Sequence, residues 1–184
     1  VHKPLLLRGA RQVGKSSAIR HLGETFKHYI EVNFEKRPEL KELFEKTSDV
    51  HQLAARLGML YNVPIEAGKT LVFLDEIQAC PEAIKSLWFF KEDFPELHVV
   101  AAGSLLEFAL KELTSYGVGR IRSLFMYPLS FDEFLQAQGK ASWIEEKRKA
   151  DHNHPLFEAL HQELVQQYRT FLMVGGMPAS VVAW

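Results

Sequence analysis

The sequence contains one cysteine, Cys80, so no disulfide framework can exist and a reducing, cytoplasmic setting is the expectation. No apolar stretch approaches the ~20 residues of a membrane span. The N-terminus lacks a basic region followed by a long apolar run, so neither a signal peptide nor a membrane partner is expected. Neither sign of charge dominates: 22 Lys and Arg face 23 Asp and Glu, for a net charge of -1. That balance gives no bulk attraction to polyanions and leaves only a local basic groove open for nucleic acid. Repeats and low-complexity tracts are missing too. The first residue is not Met, and the last four, Val181 to Trp184, are apolar and would normally need covering. A piece of a longer protein is therefore expected.

What is present suits a globular domain with a core and a small appendage, at 184 residues and 47% hydrophobic. Leu5-Leu6-Leu7 reads as a strand buried on both faces, followed by a glycine-rich loop and a helix from about Ser16 to Leu22. A second strand is expected over Tyr29–Phe34, then a helix from Pro38 to about Lys46. Asp49 and Gln52 resemble a capping pair for a helix to Tyr61, with Leu53, Leu57 and Leu60 on one face. Leu71–Leu74 is a third strand ending on Asp75-Glu76, and Pro81 opens a helix carrying Ile84, Leu87 and Trp88. His98–Ala102 is a fourth strand, a helix follows Ser104 to about Leu113, and a fifth strand is placed over Ile121–Tyr127. Strands alternating with helices predict an α/β fold with a parallel sheet. From Leu129 the pattern turns helical. Ser130 and Glu133 form a capping box, 140–150 is charge-rich and solvated, and a long helix spans Pro155–Val174. Its buried stripe is Leu156, Leu160, Leu164, Tyr168, Phe171 and Leu172. The boundary is placed at 128, giving a core of 1–128 and a helical region of 129–184.

The loop Gly9-Ala10-Arg11-Gln12-Val13-Gly14-Lys15-Ser16, with Ser17 behind it, carries the strongest chemistry. Gly9 permits the turn out of the strand, and Gly14 lets the backbone approach an anion without a Cβ in the way. Loop amides and the helix N-terminus point donors at phosphate; Lys15 adds a compact charge, and the Ser16 hydroxyl is a Mg²⁺ ligand. Chance alone would place this pattern in only about one chain of this length in a hundred. A strand before it and a helix after it supply the right context. The reading is a nucleoside triphosphate site, for ATP with magnesium; no guanine-reading Asn-Lys-x-Asp string is present.

Asp75-Glu76 ends a buried strand at the edge where open α/β sheets place ligands. Asp75 is assigned to Mg²⁺ and Glu76 to the attacking water, the alternative for Glu76 being the start of a polar loop. Ser104 follows the fourth strand and is read either as a phosphate sensor or as a helix N-cap. Arg120, in a glycine-flanked loop, is either a transition-state arginine, in cis or toward a neighbouring subunit, or a surface residue. It is counted along the same sheet edge as Asp75, Glu76 and Ser104; Arg122 is a weaker candidate. His152, His154 and His161 lack a fourth ligand, Cys80 has no partner base, and Trp88, Phe89 and Phe90 read as packing on the sheet.

Taken together, Leu6–Ser17, Leu71–Gln78, Ala101–Leu106, Gly119–Leu124, Tyr127–Phe134 and Phe171–Pro178 closely resemble the prokaryotic AAA+-type P-loop ATPases of the AAA_14 domain group. The resemblance implies an AAA+-like core followed by lid helices. It assigns Walker A to Gly9–Ser16, Walker B to Asp75-Glu76, a sensor role to Ser104 and an arginine-finger-like role to Arg120. Full-length members usually continue into a C-terminal DUF4143 domain, nuclease-like in some cases. One departure is that no lid arginine stands where many members of the wider group have a second sensor.

The leading expectation is a Mg²⁺-dependent ATPase that drives conformational change in an attached or partner domain, with a homo-oligomer as an open possibility. The alternative is a nucleotide-gated switch with little turnover, acting on a partner such as DNA. A small-molecule kinase has no acceptor-site signature, and the second carboxylate, Glu76, favours hydrolysis over transfer.

Overall fold

The computed structural model describes residues 2–104 and 119–184. It divides into two compact units, Val1–Met126 and Tyr127–Trp184. The helix expected after Ser104 lies outside the described residues. Among the described residues, no helix is long and apolar enough to cross a membrane.

The first unit is built on five strands: β1 (Leu5–Arg8), β2 (His28–Asn33), β3 (Thr70–Asp75), β4 (His98–Gly103) and β5 (Arg122–Phe125). They pair in parallel in the order β2-β3-β4-β1-β5. The sheet's side chains alternate between two apolar clusters, as the period of two requires. Leu6, Val72, Leu74, Val99 and Ala101 join one cluster, and their neighbours Leu7, Leu71, Phe73, Val100 and Ala102 join the other. Both faces are therefore covered, which is why the strands read as unbroken apolar runs. Phe73 and Leu74 are 0% exposed; burying each side chain contributes about 1.5–3 kcal/mol.

Helix α1 (Lys15–Gly23) covers one face through Ile19. The other face is covered by α2 (Lys41–Glu45), α3 (Val50–Tyr61) and α4 (Pro81–Asp93). Before α2, Pro38–Leu40 forms a separate 3-10 turn, so the helix expected from Pro38 is shorter than its sequence suggested. Asp49 caps α3 by accepting from the backbone N–H groups of His51 and Gln52. The buried stripe of α3 is Val50, Leu53, Ala54, Leu57 and Gly58. Leu60 instead stays 47% exposed, because the stripe ends one turn earlier. Strand β5 is the sheet's edge and is shorter than the Ile121–Tyr127 expected.

The second unit carries α5 (Phe131–Ala137), α6 (Ala141–Lys149), α7 (Glu158–Val174) and α8 (Pro178–Ala183). Ser130 opens α5 with a full capping box on Glu133. The charge-rich stretch near 145, expected only to be solvated, is a helix. Ile144 anchors it against Leu135, Leu160 and Leu164, Lys147 and Arg148 both reach Asp132, and three basic residues in its last turn suit the helix dipole. In α7, Leu160 and Leu164 are buried, whereas Tyr168 is 47% and Leu172 64% exposed; the stripe narrows toward its end.

Candidate functional site

The chain leaves β1 at Arg8 and turns at Gly9, whose φ of +147° places a hypothetical Cβ 2.2 Å from the Met126 carbonyl oxygen. Only glycine fits there. The loop continues through Gln12 at φ 61° to Gly14, which enters α1 in a left-handed conformation. Among the described residues no side chain caps the first turn of α1, and no acidic residue lies in it, so its leading amides are donors for an incoming anion. Val13 is buried beneath the loop, while Ala10, Arg11, Gln12 and Ser17 are exposed. Arg11 stands 3.6 Å from Glu35 across the surface.

Lys15 is 8% exposed and folds over its own loop. Its ammonium donates to the carbonyl oxygens of Gly9 (3.0 Å) and Ala10 (2.7 Å). Burial lowers its pKa from the usual lysine range, against the opposing pull of the Glu76 and Asp75 charges.

Asp75 closes β3 and is 4% exposed. The Ser16 hydroxyl lies 3.1 Å from both of its carboxylate oxygens, the Asn33 amide donates to Oδ2 at 3.0 Å, and the Glu76 N–H donates to Oδ1 at 3.1 Å. Burial raises the carboxyl's pKa, and the donations from Ser16 and Asn33 partly offset it. A buried carboxylate beside a helix-opening hydroxyl is a donor set suited to Mg²⁺, which keeps several waters and takes one or two protein oxygens alongside phosphate.

Glu76 follows at φ 50°, an unusual conformation for a non-glycine residue. The next residues form a 3-10 turn, Ile77–Ala79, and Gln78 Nε2 donates to Glu76 Oε2 at 2.6 Å. Ser104 comes directly after β4, half-buried. Since β4 lies between β3 and β1, Ser104 belongs to the same sheet edge as Asp75 and the glycine-rich loop.

Arg120 does not share that edge. Strand β5 runs parallel to β1 with Arg122 opposite Leu5, so a residue preceding β5 lies at the start of the strands, opposite the glycine-rich loop. There Arg120 pairs with Glu92 at 3.0 Å and its guanidinium stands 5.3 Å from the Trp88 ring centre. The expected row of Asp75, Glu76, Ser104 and Arg120 is corrected accordingly.

Two residues of the site escaped the sequence reading. Asn33 pairs with Asp75 in the β2–β3 register, and its Oδ1 also accepts from the Glu35 and Lys36 N–H groups. Gln78 is the other; it stands in the Asp75-Glu76-Ile77-Gln78 string that carries the family resemblance, without a role of its own there. Among the described residues, no group of three or more His, Cys, Asp or Glu is arranged to hold a metal, and His154 instead contacts Asp151.

A five-stranded parallel sheet with a glycine-rich loop after β1 is the P-loop arrangement, and a known ATPase structure shares the fold. The Walker-type ATPase of Pyrococcus abyssi superposes with a TM-score of 0.57 at 20% identity, covering 98% of this chain and 61% of that one. The chain thus spans about three fifths of that protein's length. The C. elegans protein PCH-2 matches with a TM-score of 0.42 at 14% identity, over 85% of this chain and 43% of that one. No curated protein matches the chain. The sequence matches the AAA_14 family, described as an AAA domain, over residues 1–135, and with nearly three quarters of its length so covered the chain belongs to that family.

Proposed function

We propose that this chain binds ATP and hydrolyses it with Mg²⁺, using residues 1–128 as an ATPase core and 129–184 as a helical lid, and that turnover drives conformational change in an attached or partner domain. The observation that carries the reading is the contact between Ser16 and Asp75, which joins the glycine-rich loop to the end of β3 at 3.1 Å. Family membership supports an ATPase-like nucleotide-binding domain.

The roles follow from the chemistry of each group. The amides that open α1 and the Lys15 ammonium receive the phosphates, Lys15 exchanging the carbonyls of Gly9 and Ala10 for phosphate oxygens. Residues Gly9 to Ser17 line the phosphate chain. Ser16 and Asp75 hold the metal, which when bound supplies charge that polarises the phosphate oxygens. Glu76 orients and deprotonates the water. Ser104 reaches the same edge to sense the terminal phosphate. Arg120, at the opposite edge, is assigned to the site of a neighbouring copy.

The test is steady-state phosphate release by the full chain with and without Mg²⁺, beside direct ATP titration. Glu76→Gln should leave ATP affinity intact and lower turnover by about 100-fold or more. A chain that binds ATP without releasing phosphate, or a Glu76→Gln protein that turns over like the parent, sinks the hydrolysis reading and leaves the nucleotide-gated switch.

A further inference from the structure

We propose that Gln78 is a positioning residue for the water-handling site, its amide nitrogen clamping the Glu76 carboxylate in place for the attacking water. The inference rests on the hydrolysis reading above and assigns a second residue to that step.

Three observations carry it. Gln78 Nε2 donates to Glu76 Oε2 at 2.6 Å, a short contact for an amide and carboxylate. The orientation of the amide is fixed by that contact, since the flipped form would set oxygen against oxygen. The other end of the amide, Oε1, is buried and has no hydrogen-bond partner among the described residues. A buried acceptor without a donor is costly and rare, so the amide is held there by the contact its other end makes with Glu76.

The backbone makes the arrangement rigid. Ile77 and Cys80, both 0% exposed, pin the turn between β3 and α4 into the core. The Ala79 N–H closes onto the Glu76 carbonyl at 3.0 Å and the Cys80 N–H onto that of Ile77 at 3.0 Å. Glu76 therefore keeps its left-handed conformation, and its side chain and that of Gln78 are presented together. A water beside Glu76 gives one hydrogen to the carboxylate that Gln78 holds in place. As the water oxygen bonds to the terminal phosphorus, the bond from phosphorus to the bridging oxygen breaks. ADP leaves with the electron pair, and the proton passes through Glu76 to the phosphate product.

The test uses the full chain and the variants Gln78→Leu and Gln78→Glu, the second nearly isosteric in case the first fails to fold. Single-turnover and steady-state phosphate release are measured beside ATP affinity and thermal unfolding. The expected result is a fall in kcat on the order of 10- to 100-fold with ATP affinity unchanged in at least one folded variant. The fall should vanish when Gln78→Leu or Gln78→Glu is combined with Glu76→Ala, because residues that act as a unit are not additive. Unchanged kcat overturns the proposal. So does a loss of kcat only in step with ATP affinity and unfolding temperature, or a loss that persists undiminished in the Glu76→Ala background. If the parent chain releases no phosphate, the hydrolysis reading itself falls and this proposal with it; parental turnover matched by the variants removes Gln78 alone.

Discussion

Ser16 and Asp75, 59 residues apart in sequence, meet with the hydroxyl 3.1 Å from each carboxylate oxygen. One hydroxyl hydrogen is shared between two oxygens, so the contact is a resting arrangement that a cation can replace by drawing in both groups. Replacing Ser16 by Ala should therefore leave ATP affinity without Mg²⁺ nearly unchanged. It should remove most of the gain that Mg²⁺ gives, by about 10- to 100-fold, a loss that even outer-shell metal partners produce. Calorimetric titration with and without Mg²⁺ checks this; equal losses under both conditions would move Ser16 from the metal to the phosphate.

Asn33 supports the same carboxylate from the neighbouring strand. Asn33→Asp keeps the oxygen that accepts from Glu35 and Lys36 but sets a second carboxylate where a donor stood 3.0 Å from Asp75. Two carboxylates at that distance share one proton, so the pair's folded-state pKa is raised above its unfolded value. Stability is then fully present below the unfolded carboxylate range and lost as pH rises through the raised value. At pH 7 without metal the variant should be less stable than the parent by about 1–3 kcal/mol. Denaturant unfolding should show the gap narrowing as pH falls toward 5, and a gap independent of pH would count against the shared proton.

The site's legibility in sequence follows from how local each feature is. The glycine-rich loop was readable because a tight turn, a close backbone approach and a helix start fix residue types within eight positions. Asp75 was readable because a carboxylate ends an apolar run. Asn33 was not, because its partner is set by the pairing of β2 with β3, a register no local pattern encodes. Arg120 was set at the wrong edge although strand direction was available: in a parallel sheet, a residue before a strand lies opposite one after it. In α6, charges at 145–149 concealed the helix that Ile144 anchors. Tyr168 and Leu172 continue the helical period of α7 but not its burial, since periodicity gives a face and not its extent.

Glu66 gathers three partners away from the site: Lys27 at 2.8 Å, His28 at 2.9 Å and Lys69 at 2.9 Å. Hydrogen bonds from Lys27, Lys69 and His28, in that order, hold its carboxyl down at about 2. The folded value lies below the unfolded value of ~4.3, so the contribution is present above that range and is lost as pH falls toward 2. Glu66→Gln should therefore unfold at lower denaturant than the parent at pH 6, with the two curves converging between pH 4 and 2. Raised salt should shrink the difference at pH 6, because the cluster is open to solvent. Curves that stay parallel through acid would show that the cluster contributes nothing through charge.

Arg120 makes the sharpest claim about assembly, because its place at the start of β5 keeps it from the glycine-rich loop of its own chain. Its contacts with Glu92 and Trp88 hold it on the surface, where a neighbouring copy could receive it. Arg120→Ala should lower turnover with little change in ATP affinity; arginine fingers supplied in trans contribute roughly 10³–10⁵ in rate. A mixing experiment decides the direction of the contact. Glu76→Gln has a dead site and an intact Arg120, whereas Arg120→Ala has a live site and no arginine to lend. If the arginine acts on a neighbour, mixing the two inactive proteins restores phosphate release at sites that pair an intact Glu76 with a neighbour's Arg120. The recovered rate should rise with total protein concentration as copies associate. A mixture that stays as slow as its components would assign Arg120 to the surface ion pair with Glu92 and nothing more.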